Sequence, residues 1–184
     1  MYERLLDSHV SNHGNSCTSA SLLIALGGLG AKELPELGPA TLQFGGQGMY
    51  ESPKISDYIG IPFLRRAPID VRVESVAAAS GLRVRSKTRL SLVPWRLRAP
   101  KAGEAVVGHM LKGWEGPGKY GAWNISNSFK FLDRRTWGAN GHSVVVAGSE
   151  GKKGYAVVDS NHRELQHWPT RGIAVTSTRI RVLQ

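Results

Sequence analysis

The chain has 184 residues, 41% hydrophobic and 21% charged, a balance suited to a single globular domain over 1–184 with enough core to fold unaided. Its one cysteine, Cys17, excludes an intramolecular disulfide and any multi-thiolate zinc site, and no metal or other cofactor is expected. Lysines and arginines number 24 against 14 acidic residues, a net charge of +10, which attracts polyanions in general. The arginines fall in many separate segments, however, without a basic stripe of helix length or a known nucleic-acid motif. A basic, soluble surface is therefore favoured over a dedicated nucleic-acid site.

Residues 1–10 lack the basic start and apolar centre of a secretory signal, and no apolar run reaches membrane-spanning length. The expectation is a chain that is cytoplasmic at synthesis, with export open only by a route that needs no cleaved signal. Residues 2–11 read as a short helix or extended lead-in. A helix follows that starts at or near Cys17, capped by Asn15 or Ser16. It buries Ala20, Leu23, Ile24 and Leu26 on one face and ends at Gly27-Gly28. Residues 27–62, rich in glycine and proline, read as loops and short helical turns, one of them over 56–59.

Asp70 can cap a helix over 71–80, with Glu74 in the reciprocal capping position and Gly81 after its end. Residues 82–85 alternate as an edge strand. Pro94 argues against a long helix in 88–99. Residues 105–111 read as a buried strand, 113–123 as a glycine- and tryptophan-rich loop, and 124–137 as helix or strand. The clearest β signal is a hairpin: His142 opens the run 143–147, a polar turn occupies 149–154, and 155–158 returns to Asp159, Ser160 and Asn161. A last strand is expected over 173–183.

Cys17 at a helix start would meet unpaired N–H groups and the positive end of the helix macrodipole, both of which favour a thiolate. A cysteine nucleophile needs a base, and the base needs a third group to fix its tautomer and tilt. His142 supplies the imidazole. A two-residue turn at Glu150-Gly151 would set it opposite Asp159, and a turn at Gly151-Lys152 opposite Asn161. Asp159 is preferred as third member, because it ends the strand directly and a carboxylate stabilises an imidazolium. Asn161 stands as the alternate. A zinc site built on His13 and Cys17 matches no strong ligand spacing. Trp114, Trp123 and Trp137 precede the His142 strand and are candidate cleft walls.

The order of a cysteine on a helix start, Gly141-His142 opening a valine-rich strand, and a hairpin ending in Asp159 resembles the papain-like cysteine peptidase superfamily. Within it, the chain is most similar to bacterial bacteriocin-processing (double-glycine) peptidases and related secreted effectors and toxins. The resemblance implies an α+β, papain-like fold, with a helical lobe bearing Cys17 packed on a twisted antiparallel sheet bearing His142 and Asp159. It also implies a cysteine hydrolase that cleaves or deamidates an amide or peptide bond. Its partners would be a protein or peptide substrate and, for a toxin, an acidic inhibitor or immunity protein. The family commonly places a glutamine before the cysteine as oxyanion donor. Here Asn12 is the best substitute, His13 is its rival, and the Cys17 amide is the second donor. The competing reading is an inactive papain-like binding module whose basic surface holds nucleic acid or an acidic partner.

Overall fold

The computed structural model describes residues 2–60, 66–90, 98–111, 141–151, 154–168 and 174–183. The expectations for 113–137, including the tryptophans Trp114, Trp123 and Trp137, lie outside the described residues. Five helices are described: α1 (Tyr2–Asp7), α2 (Cys17–Gly28), α3 (Leu37–Gln43), α4 (Ile55–Tyr58) and α5 (Pro68–Ala79). Six strands follow: β1 (Val84–Leu90), β2 (Glu104–Leu111), β3 (Gly141–Ser149), β4 (Tyr155–Asp159), β5 (Gln166–Trp168) and β6 (Ala174–Val182). The strands form one sheet in the order β1-β6-β2-β3-β4-β5, and every neighbouring pair is antiparallel. The fold is α+β.

α2 is apolar or small around nearly its whole circumference, and it is buried accordingly, from Cys17 through Leu26. The sequence suggested a single buried face. The helix instead packs against α1, α3 and the strands β2 and β3 at once, as a helix that is hydrophobic all round must. The main core joins it to the inward residues of the sheet, among them Ala105, Val107, Val145, Val158 and Ile180. The opposite sheet face carries a smaller apolar cluster of Val106, Val144, Val146, Tyr155 and Val157.

One local expectation is corrected. Asp70 is not the N-cap of α5. The helix starts at Pro68, whose missing N–H costs nothing in the first turn, with Ala67 at the cap. Asp70 therefore sits inside the helix, and its carboxylate faces β1. It accepts from the Ser86 hydroxyl (2.8 Å), the Thr88 N–H (2.9 Å) and the Thr88 hydroxyl (2.7 Å). Glu74 likewise accepts the Ser86 N–H (2.6 Å) and pairs with Arg66 instead of closing a capping box. These carboxylates occupy the outward N–H groups of the edge strand that residues 82–85 announced. Gly81 ends the helix at φ +73°, a conformation that favours glycine.

The hairpin register decides between the two turns that the sequence allows. Val144 pairs with Asp159, Val145 with Val158 and Val146 with Val157; beyond Ala147 the register shifts, with Gly148 opposite Ala156. The bulge absorbs one residue of β3. Continued toward the site, this register sets position 161, not 159, across from His142.

Candidate active site

Cys17 is the first residue of α2 and is buried. The chain enters it through a polar turn in which Gly14 adopts φ +62°. Ser16 occupies the cap position, yet its hydroxyl does not cap the helix. It turns back on the entering chain, 2.6 Å from the His13 carbonyl oxygen and 2.9 Å from Asn12 Oδ1. With the Ser16 hydroxyl turned away from the first turn, the positive end of the macrodipole stays directed at the sulfur. On another side Ser52 lies 3.9 Å from Sγ. It is held there because Asn15 bridges to the 50–52 segment, with Asn15 N–H to the Tyr50 carbonyl at 2.9 Å and Ser52 N–H to the Asn15 carbonyl at 2.8 Å.

His142 is the second residue of β3, and its Nε2 lies 2.8 Å from Asp159 Oδ1. The imidazole also shares a hydrogen bond and a charge interaction with Cys17. With Nε2 on the carboxylate, Nδ1 is the nitrogen left for the sulfur. The structure thus brings Cys17, His142 and Asp159 together, although the ladder register sets Asp159 diagonally and not directly across. A diagonal neighbour is still within reach of a long side chain.

The electrostatics are those of an ion pair. Burial alone would raise the Cys17 thiol. The hydrogen bond and charge of His142, the Ser143 N–H and the Ser52 hydroxyl reverse this and hold it below the ordinary thiol range. Burial also works against a charged His142, but Asp159 and the sulfur raise it to about 9. Asp159 is held below the usual carboxylate range despite its burial, by His142 and by the Asn161 N–H at 2.9 Å. All three shifts run in the direction that favours the charged thiolate, imidazolium and carboxylate over their neutral forms.

Sequence reasoning missed the residues that hold these three in place. Ser143, next to His142, is gripped by three residues of α2 at positions i, i+1 and i+4, which share one helix face. Its N–H meets the Cys17 sulfur, its hydroxyl meets Thr18 at 2.8 Å, and its carbonyl accepts from Ser21 at 2.8 Å. The Tyr58 hydroxyl donates to Thr18 (3.1 Å). Ser143 also meets His109 Nδ1 at 2.8 Å, and His109 Nε2 meets the Thr178 hydroxyl at 3.0 Å. Thr178 meets Thr88 at 2.9 Å, and Thr88 reaches Asp70. A buried polar row therefore crosses the inner face of the sheet from Asp70 to the first turn of α2. Burial lowers His109 to about 3, so it serves there as a neutral imidazole. His9 meets the Asp159 carbonyl oxygen at 3.1 Å, and the Asn12 N–H donates to the Ser160 carbonyl at 3.0 Å, clamping the end of β4. The only available signal was polar residues at buried helix and strand positions, which does not name partners far away in sequence.

Asn12 Nδ2, expected at an oxyanion, donates to Asn161 Oδ1 (3.2 Å) and to the Gly14 carbonyl (3.4 Å). Asn161 thus receives Asn12 through its side chain and supports Asp159 through its backbone. His13 is exposed and packs its ring edge-on against Tyr50, with centroids 6.0 Å apart. Among the described residues, no group of three or more histidine, cysteine or acidic side chains could hold a metal ion, and no helix is long and apolar enough to cross a membrane. No protein family, no curated protein and no solved structure matches the chain.

Proposed function

We propose that the protein is a papain-like cysteine hydrolase acting on an amide or peptide bond. The observation that carries this reading is the imidazole of His142, held between the Cys17 sulfur and the Asp159 carboxylate. The mixed fold, with the sulfur on a buried helix start and the histidine on a strand of an antiparallel sheet, supports it.

In this mechanism the thiol proton rests on His142 and the thiolate attacks the substrate carbonyl carbon. A C–S bond forms and the carbonyl pair moves onto oxygen, beside the first turn of α2, where backbone N–H groups and the macrodipole favour negative charge. His142 then gives its proton to the departing nitrogen as the C–N bond breaks. Water, deprotonated by His142, attacks the thioester and releases the acid and the thiol. A peptide substrate loses an amine and a glutamine side chain loses ammonia, so proteolysis and deamidation share these steps. Asp159 fixes the tautomer of His142 and stabilises its cation throughout.

The test is the pH dependence of Cys17 alkylation by iodoacetamide in the intact chain. A thiolate held by His142 reacts fast and nearly evenly over about pH 6 to 8. A rate that climbs only toward the ordinary thiol value of 9.0 would overturn the reading. So would hydrolysis of a peptide library that survives in Cys17→Ser, since an alcohol is a far poorer nucleophile without strong activation.

A further inference from the structure

The outer face of the β1–β6 edge of the sheet collects cations that the sequence leaves far apart. Along β1 and the residue before it, exposure alternates: Val84 and Ser86 point inward, while Arg83, Arg85, Lys87 and Arg89 are exposed. The ladder sets Arg85 opposite Arg181 and Lys87 opposite Arg179, so the β6 arginines share that face. Six basic side chains thus stand on one pleated grid. They are spaced about 6.6 Å apart along a strand and about 4.8 Å between strands, and Arg83 to Arg89 spans about 20 Å.

Among the described residues, a single acidic residue answers them. Glu104, nearly inaccessible, accepts from Arg179 (2.5 Å) and from Arg181 (2.9 and 2.6 Å). Among the described residues, the four cations of 83–89 form no ion pair. Like charges directly opposite each other in a sheet are destabilising, and two such pairs occur here side by side. The fold therefore carries a repulsion that an external polyanion would relieve.

We propose that this face binds the phosphate backbone of nucleic acid. Guanidinium groups suit phosphate through their paired N–H donors, and five of the six cations are arginines. A strand-adding peptide has no access to this edge, because Glu74 and Asp70 already occupy the Ser86 and Thr88 N–H groups. The described residues of the face supply no aromatic ring to stack a base and no carboxamide to read one. Recognition is therefore of phosphate and independent of sequence. The site is separate from Cys17, His142 and Asp159, and its binding does not depend on their chemistry.

The test is a titration of a fluorescent 20-base-pair DNA duplex with the full chain at several salt concentrations. Four phosphates neutralised by the 83–89 cations give a log–log salt slope of about −3.6, or about 150-fold weaker binding at 200 than at 50 mM. The triple variant Arg85→Gln, Lys87→Gln, Arg89→Gln should flatten that slope by about 2.7, equally for unrelated sequences. A control triple removing the same charge elsewhere, Arg4→Gln, Lys32→Gln, Arg163→Gln, should leave the slope unchanged. Both triples are checked by circular dichroism and melting. Equal loss in the two triples, or no loss in the first, overturns the proposal. Binding of phosphatidylserine vesicles without binding of the duplex overturns it in favour of a membrane surface.

Discussion

The two faces of the sheet treat polar side chains in opposite ways. On the inner face, Asp70, Thr88, Thr178, His109, Ser143 and Thr18 form a row in which each group meets the next. On the outer face of β1 and β6, six cations stand against one carboxylate. Burial explains the contrast. An unpaired polar group in the interior costs about 1–3 kcal/mol, so the inner row is complete and, being complete, fixes distances. At the surface water pays that cost, so charge can be left in excess. The inner face is suited to hold the proposed reacting groups in place, and the outer face to the proposed neutralisation by a polyanion.

The largest effect on the inner side belongs to the triad. Asp159→Ala should lower kcat by about 10² to 10⁴ without changing the fold, on the precedent of the serine triad. It should also move the pH profile. His142 stands at about 9 because Asp159 and the sulfur outweigh its burial. Without the carboxylate it falls back toward 6.5, and the alkaline limb of activity shifts to lower pH. The stability consequence has a definite sign. A raised histidine contributes stability that is fully present below 6.5 and lost as pH rises through about 9. The lowered Asp159 contributes stability present above 3.8 and lost as pH falls through its folded value. Urea midpoints against pH should fall at both ends in the wild type and flatten in Asp159→Ala. Asn161→Ala, which removes only the Asn12 contact, should leave kcat within a few-fold. The reverse ranking would move the third triad member to Asn161.

The inner row comes next. His109→Leu removes hydrogen bonds at both ring nitrogens and should destabilise the protein by about 1–3 kcal/mol in urea unfolding. If the row positions Ser143, and through it His142, iodoacetamide reactivity of Cys17 at neutral pH should also fall. His109→Gln, which retains a donor and an acceptor, should restore part of it. Lost stability with unchanged thiol reactivity would leave His109 a structural residue only.

Legibility in the sequence followed the range of the interaction. The start of α2 at Cys17, the edge strand after Gly81 and the hairpin ending at Asp159 rest on neighbours within a few residues, and the structure contains each of them. The α5 cap was misread because Pro68 can open a helix two residues before the tempting Asp70. The hairpin register stayed open between two turns because a bulge at Ala147 cannot be told from a longer turn by counting. The meeting of His142 with Asp159 holds in the observed register, since a carboxylate reaches a diagonal neighbour. The contact network around Ser143 and the gathering of Arg85 with Arg181 depend on pairings between residues far apart in sequence, from 34 residues for His109 with Ser143 to 125 for Thr18 with Ser143, and no local period announces them.

The smallest predicted effect sharpens the comparison most. If the cations of the outer face were kept for stability, removing one would cost stability. The ladder argues the opposite, because Lys87 faces Arg179 across the strands and, among the described residues, the one carboxylate that answers that arginine is Glu104, already shared with Arg181. Lys87→Gln should therefore stabilise the protein, by about 0.2–1 kcal/mol, a rise in Tm of about 1–4 °C for a chain of this size. The gain should be largest at low ionic strength. It should fade toward 1 M salt, where the screening length drops to about 3 Å. Arg4→Gln, on an exposed stretch of α1 with no cation set opposite it in a ladder, should shift Tm little at either salt concentration. A melting series of these two variants at low and high salt measures the repulsion directly. A destabilised Lys87→Gln would mean that the outer face, like the inner one, is internally balanced, and that its charge is not held in surplus for a polyanion.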